Sequence, residues 1–95
     1  MSKYKLSNDA KEDLIRIHHY GVKKFGIKQA DKYFNSFFDY FEIIAERPFS
    51  FEAVDFIKPG YRRCVCGIDS IYFRNGGDSV EIMAIIGRQD LNQLK

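Results

Sequence analysis

In the run GYRRCVCGIDSIYF, residues 60–73, two arginines precede two cysteines placed two positions apart. A metal clip, a redox pair and a plain strand are all open readings. On a strand, side chains alternate between faces, so Arg62, Cys64 and Cys66 share one face and Tyr61, Arg63 and Val65 the other. Residues two apart on a strand lie about 6.5 Å apart, from a rise of ~3.3 Å per residue. That is the edge of disulfide geometry, and the two side chains run parallel rather than towards each other. A structural zinc needs four ligands, and the other soft candidates are His18 and His19, which diverge by about 100° on a helix. We therefore read both cysteines as small core hydrophobes, with a reactive or metal-bound pair as the alternative. Arg63 then marks the open face of a sheet, and Arg62 reaches solvent from its edge.

His18 lies beside an apolar helical stripe and reads as a boundary residue. His19 falls with Glu12, Arg16 and Lys23 on a polar face. No Ser-His-Asp, HExxH or paired CxxC pattern is present, and the glycines near position 76 belong to a hairpin rather than a phosphate loop. Nothing in these motifs requires an enzyme, and they point to no catalytic residues, no cofactor and no metal.

The 95 residues point to one domain spanning 1–95, and 45% hydrophobic with 16% aromatic residues is ample core material. No apolar run is long enough to cross a bilayer, and the start, MSKYKLSNDAKEDL, lacks the apolar stretch of a signal peptide, so a cytoplasmic location is expected. The net charge of +2 gives no case for nucleic-acid binding by bulk charge. From Lys58 onwards, the basic residues Lys58, Arg62, Arg63, Arg74, Arg88 and Lys95 outnumber Asp69, Asp78, Glu81 and Asp90. Arginine suits forked contacts with carboxylate or phosphate, which weakly favours an acidic partner.

The elements that must position these residues follow from periodicity. KYKLS alternates polar and apolar and predicts a strand over 3–6. Ser7, Asn8 and Asp9 are all good N-caps, and Asp9 with Glu12 fits a capping box. Ala10, Leu14, Ile17, Gly21 and Phe25 then predict an amphipathic helix over 8–24. Gly21 offers a place where another helix can approach closely, and Gly26 is a candidate helix end. A second helix is predicted over 28–46, with Ala30, Tyr33, Phe34, Phe37, Phe41 and Ile44 as its stripe, ending before Pro48. Residues 47–57 show no clean period and read as a loop. Strands are predicted over 61–66, 70–74 and 79–86, with NGGD as a hairpin signal. The order β-α-α-β-β-β gives an α+β fold, a helical hairpin packed on one face of a small, mainly antiparallel sheet.

YKLSNDAKEDLIRIHHYGVKKFG, QADKYFNSFFDYFEIIAERP, GYRRCVCGIDSIYFR and VEIMAIIGRQDL, in that order, make the chain resemble the ParE family of the RelE/ParE toxin–antitoxin superfamily. The matching positions include Ser7, Ala10, Asp13, Leu14, Ile17, Tyr20, Gly26, Gln29, Ala30, Tyr33, Pro48, Gly60, Tyr61, Arg62 and Asp90. The family fold is a strand, a helical hairpin and an antiparallel sheet. The resemblance implies a toxin that binds and inhibits DNA gyrase and is neutralised by a ParD-type antitoxin whose C-terminal segment folds around it. Many ParE sequences carry an arginine and a histidine around the final strand, where this chain has Ala84 and Gly87.

The rival within the superfamily is a RelE-like ribosome-dependent messenger RNA endonuclease. Such enzymes place one arginine in the central strand, a second after the last strand, and a Tyr or His in the tail. By motif those arginine positions fall near Ser70 and Gln89, and the tail RQDLNQLK holds neither Tyr nor His. A third reading is a homologue that binds its antitoxin without being toxic. Arg63, Arg74, Arg88 and Gln89 are the candidate target contacts, their bland reading being solvated charges at strand ends. Phe25, Phe34 and Phe38 are the candidate antitoxin contacts, though each also suits a core. No membrane and no sequence-specific nucleic-acid partner is implied.

Overall fold

A computed structural model describes residues 3–87. β1 (Tyr4–Leu6) leads into α1 (Asn8–Phe25), α2 (Ile27–Glu46), a short 3-10 turn (Pro48–Ser50), β2 (Glu52–Ala53), β3 (Tyr61–Cys66), β4 (Asp69–Asn75) and β5 (Val80–Gly87). The sheet order is β1-β5-β4-β3-β2. β1 runs parallel to β5, and the other neighbours are antiparallel.

Of the three candidate caps it is Ser7 that starts α1: its Oγ accepts the Ala10 N–H at 3.0 Å. Asp9 and Glu12 therefore lie inside the helix, and the predicted box does not form. The same Oγ donates to the Met83 carbonyl at 3.0 Å, so one hydroxyl caps the helix and ties it to β5. Gly26, at φ 90, is the single residue between the two helices, and few residues other than glycine tolerate that angle. The hairpin closes tightly: a Cβ on Gly21 would sit 3.2 Å from the Ala30 Cβ, which is the close approach that Gly21 predicted.

Residues 47–57 hold more order than a loop. Glu52 and Ala53 pair with Arg63 and Arg62, adding a fifth, two-residue strand. Two residues are too few to show an alternation, and this strand is held partly by its neighbours' side chains. Arg62 Nη1 donates to the Phe51 carbonyl at 2.7 Å, and Arg63 Nε to Glu52 Oε1 at 2.8 Å.

The core lies between the helices and one face of the sheet. Leu14, Ile17, Phe37, Phe41 and Ile44 are buried in one cluster with Cys64, Cys66, Ile71, Phe73, Ile82 and Ile85. Fully burying a side chain such as Phe37 or Phe41 contributes about 1.5–3 kcal/mol, which makes this layer the chief source of stability. The cysteines face the helices, as alternation requires. The opposite face is not bare: Val54, Tyr61, Tyr72, Ala84 and Ile86 form a second buried cluster with Ile57 and Met83 packed against it. A register shift after Tyr72, which pairs with Ala84 while Phe73 pairs with Ile82, leaves Met83 unpaired with β4. That irregularity turns the Met83 carbonyl to Ser7. Among the described residues, no helix is long and apolar enough to cross a membrane.

Candidate interaction surfaces

Two of the four candidate target contacts can be placed. Arg63 and Arg74 share the sheet face away from the helices, where Arg63 pairs across the strands with Tyr72, and Tyr61 with Arg74. The alternation of β3 therefore separates Arg63 from the cysteines as expected. Neither guanidinium is free. Arg63 lies over the Tyr72 ring, 6.0 Å from its centroid, while its Nε holds Glu52. Arg74 Nε donates to Glu81 Oε1 at 2.6 Å. The arginine that the sequence placed at the sheet edge, Arg62, stacks 4.9 Å from the Phe49 ring centroid. Arg88 and Gln89 lie outside the described residues.

The three phenylalanines fall into two environments. Phe25 is 63% exposed at the end of α1. Phe34 and Phe38 are half-buried on α2 and pack together, ring centroids 5.3 Å apart, with Phe38 edge-on to Phe41. Phe34 also meets His18 edge-on at 5.4 Å. His18 Nε2 donates to Asp31 Oδ1 at 2.7 Å, which links the two helices across their outer surface. Ile15, His18, His19, Asp31, Phe34 and Asn35 line a shallow groove there. His18 is thus a boundary residue with a specific partner, and His19 is exposed.

The cysteines are free, buried thiols. Burial, helped by the neighbouring Cys66, pushes the Cys64 thiol up to about 11. Burial also raises Cys66, although Ser36 partly offsets it by hydrogen bonding. Both are therefore protonated and inert near neutral pH, consistent with packing. No group of three or more His, Cys, Asp or Glu side chains among the described residues is arranged to hold a metal. Beside Cys66, the Tyr33 hydroxyl shares its one proton between the Cys66 carbonyl and Asp69 Oδ2, each 2.9 Å away. Burial and then the Asp69 hydrogen bond raise its pKa above that of free tyrosine. Tyr33 fastens α2 to the turn between β3 and β4.

Some structurally decisive residues escaped the sequence. Arg16 was assigned to a solvated face, yet its Nη2 donates to the Ile85 carbonyl at 2.9 Å. Asp13 Oδ2 accepts the Ile85 N–H at 2.9 Å. Together with Ser7, these side chains occupy the edge of β5 beyond the reach of the three-residue β1. The i,i+3 spacing of Asp13 and Arg16 was visible, but their strand partner is 69 to 72 residues away. Ser70, near which a nuclease's strand arginine falls by motif, is fully buried, and its hydroxyl has no hydrogen-bond partner among the described residues.

Residues 4–91 match the family model described as "ParE toxin of type II toxin-antitoxin system, parDE". A curated relative, Toxin ParE1 of Caulobacter vibrioides, is 35% identical over 92 residues, covering 97% of this chain and 94% of that protein. Among solved structures, one titled "Chromosomal ParDE TA system from P. aeruginosa" superposes with a TM-score of 0.81 at 21% identity, covering 92% of this chain and 96% of its own. That second likeness is one of fold. It agrees with a helical hairpin on a mixed, mainly antiparallel sheet, and the family match with the curated relative carries the assignment further. The chain belongs to the ParE toxin family of type II toxin–antitoxin systems.

Proposed function

We propose that this toxin acts by binding DNA gyrase and inhibiting it, and that a ParD-type antitoxin holds it inactive. The observation that carries the choice over nuclease chemistry is Ser70. A nuclease of this superfamily needs a cation there to meet phosphate charge, and the site holds a small, fully buried hydroxyl. The described arginines of the far sheet face are engaged with Glu52 and Glu81, which suits rim contacts with a protein better than phosphate capture. Arg63, Arg74, Arg88 and Gln89 remain the target contacts of this reading.

The antitoxin contact is assigned to the outer face of the helical hairpin, through Phe34, Phe38 and Phe25. An amphipathic segment laid there covers half-buried aromatic surface, the usual mode of helix-in-groove recognition. The fold neighbour's title names a ParDE system, which supports an antitoxin partner of that type. The protein then works in the cytoplasm, where gyrase is.

Purified toxin should inhibit gyrase supercoiling or trap cleaved DNA, and messenger RNA in translating ribosomes should stay intact. Adding the antitoxin should reverse the inhibition, and Arg88→Ala should weaken it. Codon-positioned cuts in ribosome-bound messenger RNA with gyrase unaffected would replace this reading with the nuclease. Expression without growth arrest, with antitoxin binding retained, would make the chain a non-toxic homologue.

A further inference from the structure

The helical hairpin ends in a basic, apolar knob that the fold does not use. Tyr20, Phe25 and Ile27 are 55%, 63% and 64% exposed around the single-residue joint at Gly26, Phe25 being shared with the proposed antitoxin face. Lys23, Lys24, Lys28 and Lys32 are all exposed on the same stretch of chain. No carboxylate among the described residues forms an ion pair with any of these four lysines, whereas Arg16, Arg63 and Arg74 each hold one. Lys24 Nζ lies 6.0 Å from the Tyr20 ring centroid, an aromatic contact within the tip itself.

The knob is also stiff. The Gly26 N–H donates to the Val22 carbonyl and the Ala30 N–H to the Gly26 carbonyl, each at 3.0 Å, so both helices run right up to the joint. The Gly21–Ala30 approach locks them together one turn behind it. A stiff apolar tip loses little conformational entropy on docking, and large apolar side chains kept in water at one end of a small domain mark an interaction site. Free lysines around that tip select a partner of negative charge.

We infer that this tip is a second target-binding surface, and that it seats in an acidic, apolar-floored cleft of the protein that the toxin inhibits. The inference rests on the reading of the chain as a gyrase inhibitor. It adds to the far sheet face a contact whose cations are uncommitted. Attraction between exposed charges is screened by salt, so this contact weakens as ionic strength rises.

The test compares wild type with K23E/K24E/K28E, K23Q/K24Q/K28Q and Ile27→Ser in gyrase supercoiling. Lys11→Glu is a control for charge reversal at an exposed site outside the tip, and circular dichroism melting confirms the fold. Charge reversal should raise the half-inhibitory toxin concentration at least about tenfold, the glutamine set less, and Ile27→Ser about three- to tenfold. Lys11→Glu should leave it unchanged. Wild-type inhibition should weaken with added salt, and the reversed variant's should depend on salt less. Equal inhibition by folded tip variants overturns the inference and leaves the gyrase reading standing. Wild type that fails to inhibit gyrase sinks that reading and the inference with it. Binding of wild type, but not tip variants, to phosphatidylserine vesicles, with gyrase inhibition equal, overturns it in favour of a lipid surface.

Discussion

Replacing Asp13 with Ala removes the acceptor of the Ile85 N–H, 2.9 Å away, in a residue with no solvent exposure. A buried donor left without a partner costs about 1–3 kcal/mol. The Arg16 contact at 3.5 Å is between side chains 50% and 20% exposed, so its loss adds ~0–1 kcal/mol. The midpoints of the two ranges sum to about 2.5 kcal/mol, a large share of the ~5–15 kcal/mol that holds a domain folded. At roughly 4–8 °C per kcal/mol for a domain of this size, Tm should fall by about 10–20 °C. Asp13→Asn keeps a carbonyl oxygen for the Ile85 amide and should lose only about 1 kcal/mol, since a hydrogen bond to a charged acceptor becomes a neutral one. Urea unfolding followed by circular dichroism measures the difference, and hydrogen exchange at the Ile85 amide should quicken in the alanine variant. An alanine variant within about 0.5 kcal/mol of wild type, or indistinguishable from the asparagine variant, would refute the claim that this carboxylate seals the β5 edge.

Converting Cys64 and Cys66 to Ala should leave the proposed gyrase inhibition intact and cost about 1 kcal/mol each, at the low end of core truncations; stoichiometric zinc in the purified protein would contradict this. Because burial lifts Cys64 from 9.0 to about 11, the folded chain holds a proton that the unfolded chain releases, so stability should be full below pH 9 and fall between about 9 and 11. Urea midpoints measured across that range check the sign, and Cys66 and Tyr33, both raised, should steepen the loss. Gly67→Ala should destabilise by about 1–3 kcal/mol and detach Tyr33 from its acceptors, because Gly67 sits at φ 62 and a Cβ there would lie 2.8 Å from the Tyr33 ring; unchanged thermal stability would contradict that packing.

The helices and the three long strands were legible because each is long enough to show its period. Predicted bounds of 8–24 and 28–46 became Asn8–Phe25 and Ile27–Glu46. Alternation likewise assigned Cys64 and Arg63 to their correct faces. β2 escaped because two residues have no period. Which of Ser7, Asn8 and Asp9 caps α1 was undecidable locally, since Ser7 is selected by its distant bond to Met83. Arg16 reads as solvated on any helical projection, because a projection knows nothing of β5. The candidate site was legible as residue types but not as availability: nothing near Arg63 or Arg74 in the chain says that Glu52 and Glu81 will claim them. The lysines of the tip carry the opposite lesson, for their lack of an ion pair among the described residues shows only once the described carboxylates have a place.

The parallel pairing of β1 with β5 sets a clock on synthesis. Tyr4 lies beside Val80, and the Ser7 hydroxyl finds its acceptor 76 residues further along. At roughly 5–20 residues per second a ribosome needs about 4–15 s to cover that distance. During that time the first strand has nothing to lie against, while the helical hairpin and the β3–β4 hairpin can form from local contacts. Closure of the fold therefore comes last and joins the two ends of the sequence in one step, a long-range contact of the kind that slows folding. A product truncated before β5 can never complete the sheet. The newly made chain thus passes several seconds with an unfinished edge.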